Sequence, residues 1–166
     1  MSHSVHPLLI LLRHGQAEPY RLDDASRALV APGRAEVARS AAFLAAREYV
    51  PTALLASPYR RAQQTAEIIQ EQLALSQVVD TESLLVPDAD VVQAGALLVA
   101  TLDTLAAGSR RPVLLAATHM PLVASLRRYF VGSERGFPTG ALCVIERHLT
   151  GKGLVDWRLL AEFDPD

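Results

Sequence analysis

Short apolar runs alternate along the chain with longer segments in which apolar residues recur every three or four positions. The short runs predict strands that are buried on both faces, and they are Leu8–Leu12, Ala53–Ala56 and Val113–Ala117. A further short strand is predicted between the second and third of these, over residues 77–81. The longer period predicts helices, which cover residues 32–49, 58–75, 89–107 and 121–131.

The end of the chain has a different pattern. Residues 141–147 and 155–163 predict two strands around the turn Thr150-Gly151-Lys152-Gly153, so we expect a terminal hairpin. The strand–helix units before it predict an α/β fold, a three-layer sandwich with a mostly parallel central sheet flanked by helices. No repeat or linker divides the sequence. We therefore expect a single domain over residues 1–166, with a mobile N-terminus over residues 1–7.

Composition narrows the class of protein. The chain has 166 residues, half of them hydrophobic, which is enough for one substantial core. Its 16 basic and 18 acidic residues give a net charge of −2, which argues against disorder and against a nucleic acid partner. The apolar run before Arg13 is shorter than the roughly 7–15 residues of a secretory signal, and no run reaches the roughly 18 of a membrane span. We expect a cytoplasmic protein without membrane contact, and Cys143, the single cysteine, is predicted to be a core residue.

Basic side chains follow three of the predicted strands. Arg13 and His14 come directly after the first strand, Arg60 and Arg61 after the second, and His119 after the fourth. Ligands of open α/β sheets bind outside the carboxyl ends of the strands, so we expect these side chains to meet at one edge. Arginine offers paired donors to phosphoryl oxygens, helix N-termini add further donors, and a neutral imidazole can attack phosphorus. The pattern therefore predicts a site for a phosphoryl group.

The helix that follows the second strand allows a choice between its two arginines. Ser57-Pro58 predicts the start of this helix, with the serine as the capping residue and the proline in the first turn. Arg60 then shares a face with Gln64 and Glu67 and belongs to a solvated stripe, whereas Arg61 flanks the buried stripe. Arg61 is therefore the predicted phosphate ligand.

Three motifs resemble those of a known family. The tripeptide Arg13-His14-Gly15 is similar to the RHG signature of the histidine phosphatase superfamily. SPYRRAQQT at residues 57–65 resembles its SPxxRAxQT motif, and THMPLV at residues 118–123 resembles its late histidine motif. The three motifs follow three predicted strands in the family's order. The short chain and the His-x-Pro-Leu-Val form resemble the SixA-type phosphohistidine phosphatases, which implies a phosphoglycerate mutase-like fold.

The resemblance also implies a role for each residue at the sheet edge. His14 is implied to be the nucleophile that becomes phosphorylated, while Arg13, Arg61 and His119 bind the phosphoryl oxygens. Gln16, which follows the signature, is implied to contact substrate. No metal and no cofactor are implied, because two guanidinium groups and a second imidazole supply the positive field. Water then hydrolyses the phosphohistidine intermediate.

The chain departs from the family pattern where a general acid is expected. Many members carry an acid directly after the RHG signature and a glutamate beyond the third strand. This chain has Gln16 at the first position, and Glu82, Asp88 and Asp90 are the open candidates for the second. A departing imidazole needs protonation less than an alkoxide does, so such a site favours P–N over P–O cleavage. Val30 stands where the SixA-type pattern has a threonine, which removes a possible helix cap.

Three functions stay open on the sequence alone. The first is a phosphatase for phosphohistidine on a protein, for which the short connections between elements predict an open pocket. The second is a phosphatase for small phosphate esters or sugar phosphates. The third is a phosphate- or phosphopeptide-binding module without turnover, against which the intact set of two histidines and two arginines argues. The expected partner is a phosphorylated protein or a small phosphorylated substrate, and the sequence indicates no oligomeric state.

Overall fold

The computed structural model describes residues 6–108 and 111–166. Residues 1–5 of the predicted mobile N-terminus therefore lie outside the described residues. The other two residues of that segment contact the sheet. The His6 ring lies 3.9 Å from the His148 ring, and the Pro7 carbonyl accepts a 3.0 Å hydrogen bond from the Arg147 amide. Within the described ranges, no helix combines the length and the hydropathy that a membrane span requires.

A mixed sheet of six strands forms the centre of the described residues. In chain order, β1 to β6 are Leu8–Arg13, Ala53–Ala56, Val79–Thr81, Val113–Thr118, Leu142–Leu149 and Val155–Phe163. They lie in the order β3-β2-β4-β1-β5-β6, and the first four are parallel to one another. β5 and β6 form an antiparallel hairpin that pairs with β1, which confirms the predicted mostly parallel sheet and terminal hairpin. Cys143 is buried in β5, as predicted, and burial raises the pKa of its thiol to about 12.

Helices cover both faces of this sheet. In the described ranges, α1 to α4 are Ala31–Ala46, Arg60–Gln72, Val91–Ala106 and Leu122–Val131, and two 3₁₀ helices are Asp24–Ser26 and Ser83–Leu85. The side chains of β1 alternate between the two layers. Leu8, Ile10 and Leu12 pack with α1 and α2, whereas Leu9 and Leu11 pack with α3 and α4. The strand is apolar throughout because both of its faces are covered, and the three-layer sandwich is confirmed.

Both α1 and α2 end three residues before the predicted position. Glu48 and Ala74 adopt the left-handed backbone conformation, with φ of 59° and 51°, which ends each helix. Apolar periodicity did not reveal these turns, because Tyr49 and Leu75 still pack against the core after the helix has ended. At the start of α1, Val30 makes no side-chain capping bond, as expected from the missing threonine.

The predicted helix cap at Ser57 is wrong. α2 begins at Arg60, and Tyr59 before it makes no side-chain capping bond. Ser57 instead continues the sheet, because its amide donates a 3.1 Å hydrogen bond to the Ala117 carbonyl, one position beyond the paired part of β2. In this extended conformation the hydroxyl group of Ser57 lies 2.8 Å from His119 Nε2.

Two glycines let the loop after β1 lie directly on the start of α1. A Cβ atom at Gly15 would lie 2.4 Å from the Gly33 carbonyl oxygen, and one at Gly33 would lie 2.0 Å from the Gln16 carbonyl oxygen. The backbone of the loop therefore contacts the backbone of α1 directly, and neither glycine position has room for a side chain. The Gln16 amide also donates a 2.9 Å hydrogen bond to Glu36 Oε2 of α1. These contacts fix the loop that carries His14.

Candidate active site

The five residues predicted to form the site line one cavity at the carboxyl edge of the parallel strands. They are Arg13, His14, Gln16, Arg61 and His119, and the cavity has a volume of about 430 Å³. The loops open side by side because the strands before them end in register: β1 is paired with β4 up to Thr118, and β2 is paired with β4 up to Ala117. The two imidazole rings meet edge to face, with their centroids 5.1 Å apart and their planes at 61°.

His14 presents a bare ring nitrogen to this cluster. Its Nδ1 lies 2.7 Å from the Gly15 carbonyl oxygen, which can only accept, so Nδ1 carries the proton. Nε2 then accepts a 3.3 Å hydrogen bond from Arg61 Nε. Burial lowers the pKa of His14 to about 3, and the charges of Arg61 and Arg13 act in the same direction. The imidazole is therefore neutral at neutral pH, as a nitrogen nucleophile must be.

The two arginines are held by the protein in different ways. Arg13 donates from one terminal nitrogen to the Phe137 carbonyl at 2.7 Å, and its buried Nε has no partner among the described residues. Arg61 is 3% exposed and donates to the Asp24 carbonyl at 2.8 Å. Burial lowers the pKa of both guanidinium groups, although Asp24 opposes this at Arg61 and Glu36 at Arg13. Arg60, by contrast, is exposed to solvent.

His119 faces the cluster from the loop after β4. It is 1% exposed, its Nε2 lies 2.8 Å from Ser57 Oγ, and its Nδ1 has no partner among the described residues. Burial lowers the pKa of His119 to about 2, with further lowering by His14 and Arg61. The second imidazole is therefore also neutral at neutral pH.

None of the three candidate general acids lines the cavity. Glu82 Oε1 accepts a hydrogen bond of 3.1 Å from the Leu84 amide and caps a 3₁₀ helix. Asp90 Oδ1 accepts one of 2.9 Å from the Gln93 amide and caps α3. Asp88 is exposed between them. Two of the three carboxylates thus serve as helix caps, a role that sequence analysis did not assign to them.

Of the described acidic residues, Asp24 alone lines the cavity, and sequence analysis missed it. Its Oδ1 accepts a 2.7 Å hydrogen bond from Arg27, and its Oδ2 accepts one of 3.1 Å from Arg61. Burial raises the pKa of Asp24, but the hydrogen bonds and charges of both arginines outweigh it and hold the pKa below its ordinary value. The carboxylate is therefore ionised at neutral pH and cannot donate a proton. The three-residue spacing of Asp24 and Arg27 was the one available signal, since side chains at that spacing meet in a helical turn.

Metal ligands are not grouped in the part of the chain that the structure describes. No set of three or more His, Cys, Asp or Glu side chains there could hold a metal ion. The positive charge of the cavity comes instead from Arg13, Arg27 and Arg61, which all line it.

Comparison with known proteins shows which proteins the chain resembles. A sequence model of the histidine phosphatase superfamily, branch 1, matches residues 9–85. The phosphohistidine phosphatase SixA of Escherichia coli strain K12 is 28% identical over 153 residues, which cover 91% of this chain and 92% of that protein. A structure of the protein histidine phosphatase SixA complexed with tungstate matches with a TM-score of 0.81 at 26% identity, over 95% of this chain and 97% of that one. The sequence and the fold of this chain are therefore similar to those of the histidine phosphatase superfamily.

A solved structure of lower sequence identity shares the fold. A mycobacterial glucosyl-3-phosphoglycerate phosphatase matches with a TM-score of 0.70 at 19% identity, over 93% of this chain and 97% of that one. This match confirms the phosphoglycerate mutase-like architecture of this chain.

Two buried neutral imidazoles should make this protein less stable in acid. The pKa values of His14 and His119 are lowered to about 3 and about 2, whereas both rings take up protons near pH 6.5 once the chain unfolds. Below that pH the unfolded state binds more protons, so the free energy of unfolding falls as the pH falls. Each ring should contribute a loss of about 1.4 kcal/mol between pH 7.5 and pH 5.5.

Urea unfolding at the two pH values measures this loss. His119→Gln removes one of the two rings and should reduce the loss by about 1.4 kcal/mol relative to the wild type. If the variant loses as much stability as the wild type on acidification, the burial of a neutral His119 is not the cause.

Proposed function

We propose that this protein is a phosphohistidine phosphatase, in which His14 takes the phosphoryl group from a phosphohistidine carried by another protein. The observation that supports it most directly is the neutral Nε2 of His14 beside the Arg61 guanidinium, 3.3 Å from its Nε. The similarity to an E. coli phosphohistidine phosphatase, and to a SixA structure that holds the oxyanion tungstate, also supports it.

The first step is transfer of the phosphoryl group to His14. Arg13, Arg61 and His119 would bind its oxygens as the lone pair of His14 Nε2 attacks phosphorus. The new N–P bond forms while the N–P bond of the substrate breaks. The substrate imidazole leaves with the bonding electron pair and takes up a proton from water. The two guanidinium groups and the His119 ring, already in place, stabilise the charge on the oxygens without having to reorganise.

The second step is hydrolysis of phosphohistidine 14. A water molecule attacks phosphorus, the N–P electron pair returns to His14 Nε2, and a water proton passes to solution. The products are inorganic phosphate and the neutral imidazole with which the cycle began. The Nδ1 hydrogen bond to the Gly15 carbonyl, at 2.7 Å, would keep the ring in the same orientation through both steps.

The chemistry of the leaving group supports phosphohistidine over alkyl esters. An alkoxide leaving group needs a general acid, which typically contributes a factor of about 10²–10⁴. Asp24, which stays ionised between Arg27 and Arg61, cannot fill this role. An imidazole leaving group accepts its proton from solvent and depends on such an acid much less. The cavity therefore suits cleavage of a P–N bond.

The rim of the cavity supports a substrate carried by a protein. Tyr20 lines the cavity and is 74% exposed, so the opening reaches the molecular surface there. The volume of about 430 Å³ lies at the lower end of the roughly 300–1,000 Å³ of small-molecule sites. It has room for a phosphoryl group and an imidazole that enter from the surface. A cytoplasmic location, where phosphorylated signalling proteins are found, is part of this proposal.

A substrate panel tests the proposal. Hydrolysis of a phosphohistidine-bearing protein domain, phosphoramidate, glycerol phosphate and a sugar phosphate is followed with a chelator present. We expect kcat/KM for the P–N substrates to exceed that for the esters by a factor of about 10² or more, because the esters lack a general acid. His14→Ala provides the blank for spontaneous P–N hydrolysis.

The other outcomes separate the alternatives. A preference for the sugar phosphate would contradict the proposal and favour a phosphatase for small esters. Phosphate binding without turnover of any substrate would favour a binding module. Activity that chelation abolishes would contradict the metal-free mechanism.

A further inference from the structure

Ser57 carries a hydroxyl group that the steps above do not use. The residue follows β2 and is fully buried, and its Oγ lies 2.8 Å from His119 Nε2. The Tyr59 amide donates a 3.3 Å hydrogen bond to the same oxygen. The hydroxyl group therefore has one donor directed at it and one ring nitrogen within hydrogen-bonding distance.

These contacts determine which ring nitrogen of His119 carries the proton. Because Ser57 is buried, its hydroxyl proton cannot go to bulk water and needs an acceptor inside the protein. The Tyr59 amide is a donor only, which makes His119 Nε2 the acceptor. In a neutral ring with a bare Nε2, the proton sits on Nδ1.

A second observation indicates where that proton is used. Four buried side-chain nitrogen or oxygen atoms lack a partner among the described residues, and two of them, His119 Nδ1 and Arg13 Nε, belong to residues that line the cavity. Buried donors without acceptors are rare in folded proteins and mark places where a ligand supplies the missing group. An oxyanion in the cavity would satisfy both.

We infer that Ser57 fixes the tautomer of His119, so that its Nδ1–H is held ready to donate to a phosphoryl oxygen. Ser57 is a positioning residue, since it acts on the phosphoryl group only through the imidazole. The inference rests on the proposed function, because it assigns His119 to the phosphoryl oxygens. The opposite tautomer would direct a lone pair at a negatively charged oxygen and would weaken binding.

Nitrogen-15 NMR of the uniformly labelled protein reads the tautomer directly. Long-range proton–nitrogen correlations distinguish a protonated ring nitrogen from a bare one, and loss of signals in His119→Gln assigns the ring. At neutral pH we expect Nδ1 of His119 to be protonated and Nε2 to be bare. A ring protonated on Nε2 in the wild-type protein would overturn the inference without the need for any variant.

Variants test whether the serine is the cause. Ser57→Ala should convert the single tautomer into a mixture and weaken binding of inorganic phosphate by up to about tenfold, the equivalent of one hydrogen bond. In turnover it should lower kcat more than it raises KM, because the donor matters most as charge develops. Ser57→Thr keeps the hydroxyl group and should keep the Nδ1–H tautomer. An unchanged tautomer in Ser57→Ala would show that another contact sets it.

Two controls separate this inference from general damage and from the proposed function. Ser40 is also fully buried, with its hydroxyl group bonded to the Gly140 carbonyl at 2.6 Å, so Ser40→Ala removes a comparable group and should leave the His119 tautomer unchanged. Formation of phosphohistidine on His14 is measured separately. That adduct can form whichever tautomer His119 adopts, so the failure of one idea is distinguishable from the failure of the other.

Discussion

Replacement of His14 with alanine is expected to abolish both turnover and the covalent intermediate. Nε2 of this ring is the neutral imidazole nitrogen that accepts the hydrogen bond from Arg61 Nε, and alanine leaves nothing at that position to accept the phosphoryl group. By analogy with other enzymes that lose their nucleophile, we expect kcat to fall by a factor on the order of 10⁴ or more. The intermediate is trapped by a rapid alkaline quench with labelled phosphoramidate, because phosphohistidine survives base, and the labelled residue is located by mass spectrometry.

His148→Asn is the control for this experiment. His148 lies at the opposite end of the sheet, where β5 passes the start of β1, and its ring contacts His6 rather than the cavity. The variant should retain full activity and label at position 14. Label on His119 in the wild-type protein, or turnover by His14→Ala near the wild-type rate, would contradict the assignment of the nucleophile.

The position of the cavity could be predicted from the sequence because it depends on strand ends. Arg13, His14 and His119 follow strands that are apolar on both faces, and such strands are hard to mistake for other elements. Once three strands are parallel neighbours, the residues after them must share an edge. The choice of Arg61 over Arg60 followed from helical periodicity in the same way, since one of the two positions had to face solvent. These inferences use only local patterns and one topological rule.

The contacts of Asp24 and Ser57 could not be predicted in this way. Asp24 begins the 3₁₀ helix between β1 and α1, and its partner Arg61 is 37 positions further along the chain. Ser57 was taken for a helix cap because Ser-Pro is a common helix start. The sheet competes for the same residue, and its extra hydrogen bond to Ala117 keeps Ser57 extended. The local sequence cannot decide whether Ser57 caps the helix or extends the sheet, because its hydrogen-bond partner in the sheet, Ala117, is distant in sequence.

The candidate general acids illustrate the difference between residues chosen by their position in the sequence and residues found through their contacts in the structure. Sequence analysis proposed Glu82, Asp88 and Asp90 by their place in the chain, and the structure uses Glu82 and Asp90 to cap helices. The carboxylate that does reach the cavity, Asp24, was found only through its contacts. Its ion pairs with two arginines then limit the chemistry, because an ionised carboxylate holds guanidinium groups in place but supplies no proton.

Replacement of Arg61 with lysine should lower kcat by a factor of about 10²–10³, the usual cost of removing one preorganised donor from a charged transition state. Lysine keeps the positive charge but loses the planar fork. Arg61 uses that fork to contact His14 Nε2, the Asp24 carbonyl and the Asp24 carboxylate at once, over distances of 2.8–3.3 Å. A single ammonium group cannot make all three contacts and also bind a phosphoryl oxygen. Steady-state kinetics with phosphoramidate, together with a thermal unfolding scan, measures the effect and shows that the variant is folded.

Arg60→Lys is the matched control, because the same substitution is made one position earlier on α2. Arg60 is exposed to solvent and does not line the cavity, so we expect its kcat and KM to stay within about twofold of the wild type, as for most surface substitutions. Comparison of Arg61→Lys with Arg60→Lys distinguishes a requirement for the geometry of the Arg61 guanidinium group from a requirement for positive charge alone. If catalysis needs only positive potential near the sheet edge, both variants should retain activity, since neither changes the net charge. A large loss in Arg61→Lys alone is expected only if the orientation of that one guanidinium group contributes to phosphoryl transfer.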